Sequence, residues 1–418
     1  MPTGPWGGLR TEEDARAQGG VRVSTPGLHQ FTCEQCGAIL SYAPGTTELV
    51  CSYCGHRNRI TEAPIEVVEQ ALDPALRQAA GEAPPSAEIP AKCGSCGADF
   101  AFKPPSFAGP CPFCGQPVVA DPAPWRKIPP IGVLPFLIGD QEARRLVGDW
   151  LKGLWFAPSG IAEQARGPGR LHGVYLPYWT FDSRTRTRYA GQRGDVYYET
   201  QYVDAVVDGR RVRQAVQVPK VRWRPASGLV ARDFDDVLVL ADGTLPTHLV
   251  EALEPWDVDG MRPFTPDYLG GFAAELYQIP VDRGFERGQA LMREVIAGDV
   301  RADIGGDQQI IARMEVEHSG TTFKHVLLPV WVAAFTFIGR QYRFVVNGRT
   351  GEVHGERPWS AWKIAGAVLL AILLFLLLAL FFSQAEALQE GLRNLGQSVF
   401  GLTEHALASL GPIGLWPT

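Results

Sequence analysis

Cys33-Glu34-Gln35-Cys36-Gly37 is answered by Cys51-Ser52-Tyr53-Cys54-Gly55, and both return as Cys93-Gly94-Ser95-Cys96-Gly97 and Cys111-Pro112-Phe113-Cys114-Gly115. Fourteen residues separate the two pairs in each set, the second set lies 60 positions after the first, and together they use all eight cysteines of the 418-residue chain. A two-residue spacer lets two thiolates converge on one ion. The glycine after each pair permits a tight turn that leaves backbone N–H groups facing sulfur. Two such knuckles make one tetrahedral four-thiolate site. The spacing therefore predicts two zinc ribbons, at 29–60 and 91–121, each with one structural Zn2+ held by Cys33, Cys36, Cys51 and Cys54 or by Cys93, Cys96, Cys111 and Cys114. The interval is slightly shorter than the common 15–20 residues but suffices for a short hairpin. A disulfide framework needs an oxidising compartment, and residues 1–30 hold no apolar signal segment. A redox pair leaves the repetition unexplained. Closed four-thiolate sites have no open coordination position, which favours structure and binding over catalysis, and small ribbons draw much of their folding energy from the metal.

Outward from the ribbons, residues 1–28 are rich in glycine, proline and charge and read as disordered. Residues 61–90 read as a linker, with a short helix between Ile65 and Ala79 interrupted near Pro74. Residues 122–358 read as a β-rich α+β domain. A strand is expected at 132–138, and an amphipathic helix at 141–154 with Ala143, Leu146, Val147, Trp150 and Leu154 on one face and Asp140 as its cap. Short strands follow at 173–181, 184–190, 196–207, 211–224 and 236–240. Helical patterns return at 245–252, 266–276 and 284–297, and a final meander occupies 308–317, 323–337, 341–347 and 351–354, with a turn signal at Asn347-Gly348. His172-Gly-Val-Tyr-Leu-Pro177-Tyr-Trp179 is echoed by His325-Val-Leu-Leu-Pro329-Val-Trp331, which implies a duplicated strand–helix–meander unit. Proline inside both stretches implies an edge, a bulge or a strand start, and the tryptophans are expected in the core.

Ile364 to Phe382 carries no charge and no strong polar group. At 1.5 Å per residue it covers about 28 Å, close to the hydrocarbon thickness of a bilayer. A transmembrane helix is expected within 359–384, with Trp359 and Trp362 in the aromatic belt. Arg349, Arg357 and Lys363 precede the span and only Arg393 closely follows it, so the positive-inside rule places the N-terminal part in the cytoplasm. The tail, 385–418, reads as extracytoplasmic or interfacial; Leu388, Leu392, Leu395, Val399 and Leu402 recur at helical spacing.

The 39 Lys and Arg against 45 Asp and Glu give a net charge of −6, which argues against a nucleic-acid binder along the whole chain. No glycine precedes any of the seven lysines, so no phosphate-binding loop of the Gly-x4-Gly-Lys type exists, which argues against an ATP-driven motor. Asp303-Ile-Gly-Gly-Asp307 offers two carboxylates but reads better as a turn, and His172 and His325 read as structural. Arg184, Arg186 and Arg188 alternate along a strand, and Arg211 and Arg213 repeat the alternation. Such a face suits phosphates of lipid head groups or nucleic acid; the competing reading is a solvated face balanced by Asp233, Asp235 and Asp236.

The double ribbon, Leu171-His-Gly-Val-Tyr-Leu-Pro-Tyr-Trp-Thr-Phe-Asp182, Leu253-Glu-Pro-Trp-Asp257, Phe323-Lys-His-Val-Leu-Leu-Pro-Val-Trp331, Val346-Asn-Gly-Arg-Thr-Gly-Glu-Val353 and Gly355-Glu-Arg-Pro358 together resemble a family of bacterial membrane-anchored proteins with TFIIB-type zinc ribbons. Its members often carry the label primosomal protein N′, helicase-like, although this chain lacks the helicase's ATP-binding loop. The resemblance implies membrane-stress systems, with partners similar to SPFH/flotillin-like or phage-shock-type proteins. The expectation is a non-enzymatic adaptor at the bacterial cell membrane. A replication-linked, nucleic-acid-binding ribbon protein is the disfavoured alternative.

Overall fold

The computed structural model describes residues 28–61, 67–79, 81–158, 160–161, 171–207, 210–337 and 339–382. The segment expected to be disordered lies outside them apart from Leu28, and so does the C-terminal tail. The chain forms two compact units, Met1–Leu151 with Ala162–Glu356, and Lys152–Ile161 with Arg357–Thr418.

In the first unit the chain starts with β1 (Leu28–His29). Ribbon 1 follows as a separate three-stranded antiparallel sheet of β2 (Leu40–Tyr42), β3 (Glu48–Cys51) and β4 (Arg57–Arg59). After β5 (Gln70–Ala71) and α1 (Leu72–Ala79), ribbon 2 comprises β6 (Ile89–Lys92), β7 (Asp99–Phe102), β8 (Ser106–Pro110) and β9 (Pro117–Ala120). The body adds β10 (Gly132–Val133), α2 (Asp140–Gly153), β11 (Leu171–Val207), β12 (Arg210–Leu240), α3 (Thr247–Glu251), β13 (Arg262–Pro263), β14 (Ala273–Glu275), α4 (Val281–Ile304), β15 (Gln308–Phe337), β16 (Arg340–Asn347) and β17 (Val353–Gly355). One large mixed sheet runs β1-β9-β8-β14-β11-β15-β10-β13, with β12 against β11, β5 and β16 against β15, and β17 against β16. The architecture is α+β, as the patterning implies.

The expected short strands fuse. The five strands placed between 173 and 240 are two, β11 and β12, and the two placed at 308–317 and 323–337 are β15 alone. The apparent breaks are local features of long strands. Gly191 sits at a register shift against β15, where a Cβ would stand 2.2 Å from the Ile310 carbonyl oxygen. Pro219 and Pro225 lie on β12, which pairs with no described strand but β11, and an edge strand tolerates proline. Past Gly194, where β15 begins, β11 and β12 run on as a two-stranded arm for roughly 40 Å at about 3.3 Å per residue. The helix expected at 266–276 is instead a 3-10 turn, Pro266–Leu269, followed by β14. Gly271, at φ 93°, breaks the pattern between them.

The two echoed stretches pair antiparallel with each other: Trp179 faces His325, and Gly173 faces Trp331. Each follows a strand and a helix, β10–α2 before β11 and β14–α4 before β15. β14 pairs in parallel with β11, and β10 with β15. Pro177 and Pro329 are therefore on central strands, not at strand starts. Each occupies the place where its strand changes neighbour, from β14 to β12 and from β10 to β16, so the missing N–H has no ladder position to fill. Their carbonyls accept from Ala241 and Gly348, both at 2.9 Å. Trp179 and Trp331 each donate from Nε1 at 2.9 Å to the carbonyl just before α4 and α2, of Ile279 and Ile138. This satisfies the indole as its burial requires.

The core lies on both sheet faces. Leu176, Tyr178, Val326, Leu328 and Val345 pack with Leu249, Val250 and Leu253 of the α3 region on one face. Trp179, Phe181 and Phe323 pack with α1 and α4 on the other. Helix α4 buries Val281, Gly284, Gly288, Met292, Ile296, Val300 and Ile304, a stripe at three- and four-residue spacing. Its glycines permit close approach: a Cβ at Gly284 would stand 2.5 Å from the Trp179 ring. The second unit holds α5 (Ala361–Phe382), a 22-residue helix whose most apolar 18 residues have a mean hydropathy of 3.1 and are not buried.

Candidate metal centres

All four knuckles fold alike. In each, the first cysteine's carbonyl accepts from the glycine four positions on, as in Gly37 to Cys33 and Gly55 to Cys51, at 2.8 to 2.9 Å throughout. Gly37, Gly55, Gly97 and Gly115 all take φ of 73–75°, the left-handed region that a side chain resists. The turn that follows brings sulfurs together. Cys33 and Cys54 stand 3.6 Å apart and Cys36 and Cys51 3.5 Å; in ribbon 2 the matching distances are 3.6 Å for Cys93 and Cys114 and 3.8 Å for Cys96 and Cys111. A tetrahedron with metal–sulfur bonds of about 2.3 Å has sulfur–sulfur edges of about 3.8 Å. All eight cysteines are free of disulfides, and each set of four lies within 4.8 Å. The donor sets thus fit one thiolate-bound metal ion each.

Local electrostatics prepare part of each set. The Cys54 and Tyr53 N–H groups favour the Cys51 thiolate and hold it down to about 6. Burial opposes the Cys93 thiolate, but the Cys96 and Ser95 N–H groups and neighbouring sulfur outweigh it, and Cys93 also falls to about 6. Cys114, although the Gln116 N–H favours its thiolate, is pushed up to about 12 by burial and by the other three sulfurs. Four thiolates at these distances repel one another, and a central cation is what reconciles them. Gln30 supports ribbon 2 from outside it: its amide nitrogen reaches Cys93 Sγ at 3.7 Å and the Pro117 carbonyl at 3.1 Å, and its oxygen accepts from Gly94 N–H at 2.6 Å.

The other sequence candidates scatter. Arg184, Arg186 and Arg188 are exposed on β11, but each has cross-strand neighbours that include Asp233, Glu317 or Glu315. Arg211 and Arg213 sit far out on the arm, the latter with its guanidinium 5.7 Å from the Tyr202 ring. The five arginines share one side of the β11–β12 ladder without converging on one site. Asp303 accepts from the Tyr189 hydroxyl at 2.5 Å, while Asp307 accepts from Val196 N–H at 2.7 Å, so both brace the turn after α4. His172 is exposed at the start of β11. His325 is buried between Trp179 and Tyr277, its Nδ1 2.8 Å from the Ile128 carbonyl, and burial pushes it down to about 4.

One cluster escaped the sequence reading. Glu69, Asp182 and Asp235 bring three carboxylates within 4.8 Å where β11 bulges against β12 and β15. Burial raises Asp182 to about 6, although the Asp236 N–H and Lys324 favour its ionised form. The Lys324 ammonium, 2.6 Å from Asp236 and 3.6 Å from Glu69, already supplies a cation there. The Asp233, Asp235 and Asp236 run was the only sequence signal, and its partners lie far away along the chain.

Compared with known proteins, the chain is 26% identical over 338 residues to "Uncharacterized protein YdjG" of Bacillus subtilis (strain 168), covering 80% of this chain and 92% of that protein. No family model matches the chain. No solved structure matches it.

Proposed function

We propose that this chain is a single-pass zinc-ribbon adaptor of the bacterial cell membrane. Zinc suits the two four-thiolate sets and rigidifies each ribbon, and α5 anchors the chain with its N-terminal part in the cytoplasm. The observation that carries the reading is a matched pair of exposed aromatics. Tyr53 and Phe113 occupy the same position in the two ribbons, just before the last cysteine, and are 83% and 69% exposed. Large aromatics held out on a rigid metal turn are costly in water and are the usual anchors of protein recognition. Recruited partners are cytosolic proteins similar to the SPFH/flotillin-like or phage-shock-type proteins of membrane-stress response, on the resemblance above. A nucleic-acid role has less support, because Glu315, Glu317 and Asp233 stand beside the arginines of β11. The test is the cellular distribution of a tagged candidate partner with the intact protein, without it, and with Tyr53→Ala and Phe113→Ala combined. Recruitment requires the partner to leave the membrane in the last two cases. An unchanged distribution sinks the adaptor reading.

A further inference from the structure

We infer that residues 152–158 form a second contact with the lipid headgroup region, with Trp155 at its tip; the inference rests on reading α5 as a membrane span. This segment and the start of α5 lie about 200 residues apart in the chain yet belong to one compact unit. Three contacts join them. Ser360 N–H donates to the Phe156 carbonyl at 2.8 Å, the Lys363 ammonium donates to the Ala157 carbonyl at 2.7 Å, and the Phe156 ring stacks on Trp359 with centroids 6.1 Å apart. Ser360 immediately precedes α5 and Lys363 lies in its first turn, so these bonds hold the loop level with the mouth of the helix.

The side chains at that level are those a headgroup region selects. Trp155, Trp359 and Trp362 are 88%, 60% and 89% exposed, whereas Trp179, Trp256 and Trp331 are buried in the sheet core. An indole loses free energy when left in water and gains it at a membrane boundary, where the ring meets acyl chains and the N–H stays hydrated. Lys152 and Lys363 add cations suited to anionic head groups. The occupant of the Trp155 surface follows from continuity: the apolar wall of α5 begins within one turn of the residues that hold the loop, and its next covering is lipid. Zinc ribbons and arginines play no part here. The consequence is rotational. A lone helix turns freely about its own axis, and a second contact beside its mouth fixes that rotation and the depth of insertion.

The test uses the full-length protein labelled with 5-fluorotryptophan, in nanodiscs of phosphatidylethanolamine and phosphatidylglycerol doped with a headgroup nitroxide lipid. Fluorine signals are assigned with Trp155→Phe, Trp359→Phe and Trp362→Phe, and with Trp155→Tyr should the first variant fold poorly. The Trp155, Trp359 and Trp362 signals should be lost to paramagnetic broadening while that of Trp179 persists. A sharp Trp155 signal beside broadened Trp359 and Trp362 overturns the loop contact and leaves the span intact. Sharp signals from all three overturn the span, and the loop contact with it.

Discussion

The two ribbons carry the same knuckles but join the molecule differently. Ribbon 1 keeps its strands to itself. It docks through Tyr42, whose N–H donates to the Gly270 carbonyl at 2.7 Å, whose hydroxyl donates to Phe136 at 3.2 Å, and whose ring meets Tyr268 edge-on at 5.3 Å. Phe102, the residue 60 positions on, turns inward and packs against Phe100 of its own ribbon. Ribbon 2 gives β8 and β9 to the large sheet: Ala108 pairs with Ala274 of β14, and β9 captures β1. One four-cysteine set therefore closes an appended module, and the other closes the end of the main sheet. Identical local chemistry gains different reach from its backbone neighbours.

Removing one ligand from each ribbon should expose that asymmetry most strongly, since a structural thiolate-bound zinc is worth roughly 10–16 kcal/mol of apparent folding energy. Cys51→Ser and Cys111→Ser should each lower bound metal from two ions to one by elemental analysis. Hydrogen exchange should then open β2–β4 alone in the first variant, and β8, β9 and β14 in the second. Equal spread of exchange in both would break the comparison.

Tyr42→Ala comes next. Loss of a buried aromatic costs about 3–5 kcal/mol. Both metals should stay, while limited proteolysis cuts around ribbon 1 sooner than around ribbon 2. Unchanged cleavage would mean that Tyr42 does not dock it.

The smallest effect concerns the seam of ribbon 2. Glu275 on β14 pairs with Ser106 of β8, and burial, followed by the nearby Asp242 carboxylate, pushes it up to about 8 from an ordinary 4.5. The folded state then holds a proton that the unfolded chain has released. The contribution of Glu275 to stability is accordingly greatest below about 4.5 and is lost as pH rises through about 8. Glu275→Gln should flatten the pH dependence of exchange in β8 and leave β2–β4 as they were. A slope unchanged by the substitution would remove Glu275 from the seam.

The ribbons were legible because their information is local: spacing and glycine position dictate the knuckle. The helices at Asp140–Gly153 and Val281–Ile304 were legible from periodicity, since one face meets the core. Strand length was not. Gly191 and Pro225 look like breaks until β15 and the open edge of β12 show what stands beside them. The helix expected at 266–276 failed because its apolar residues serve a turn and a parallel strand beside Val174 and Tyr175, a long-range pairing. The Glu69, Asp182 and Asp235 group depended on the same kind of pairing, through β5 against Thr322 and Phe323.

The antiparallel bond between β11 and β15 also sets a timetable. β11 begins at Leu171 and its partner ends at Phe337. At a synthesis rate of roughly 5–20 residues per second, the first of these strands waits on the order of ten to thirty seconds for the second. Both metal sites can load before then, because Cys114 emerges ahead of either strand. The large sheet cannot close until translation has nearly reached the apolar helix at Ala361. Synthesis of that apolar helix and the final folding step therefore fall in the same short interval.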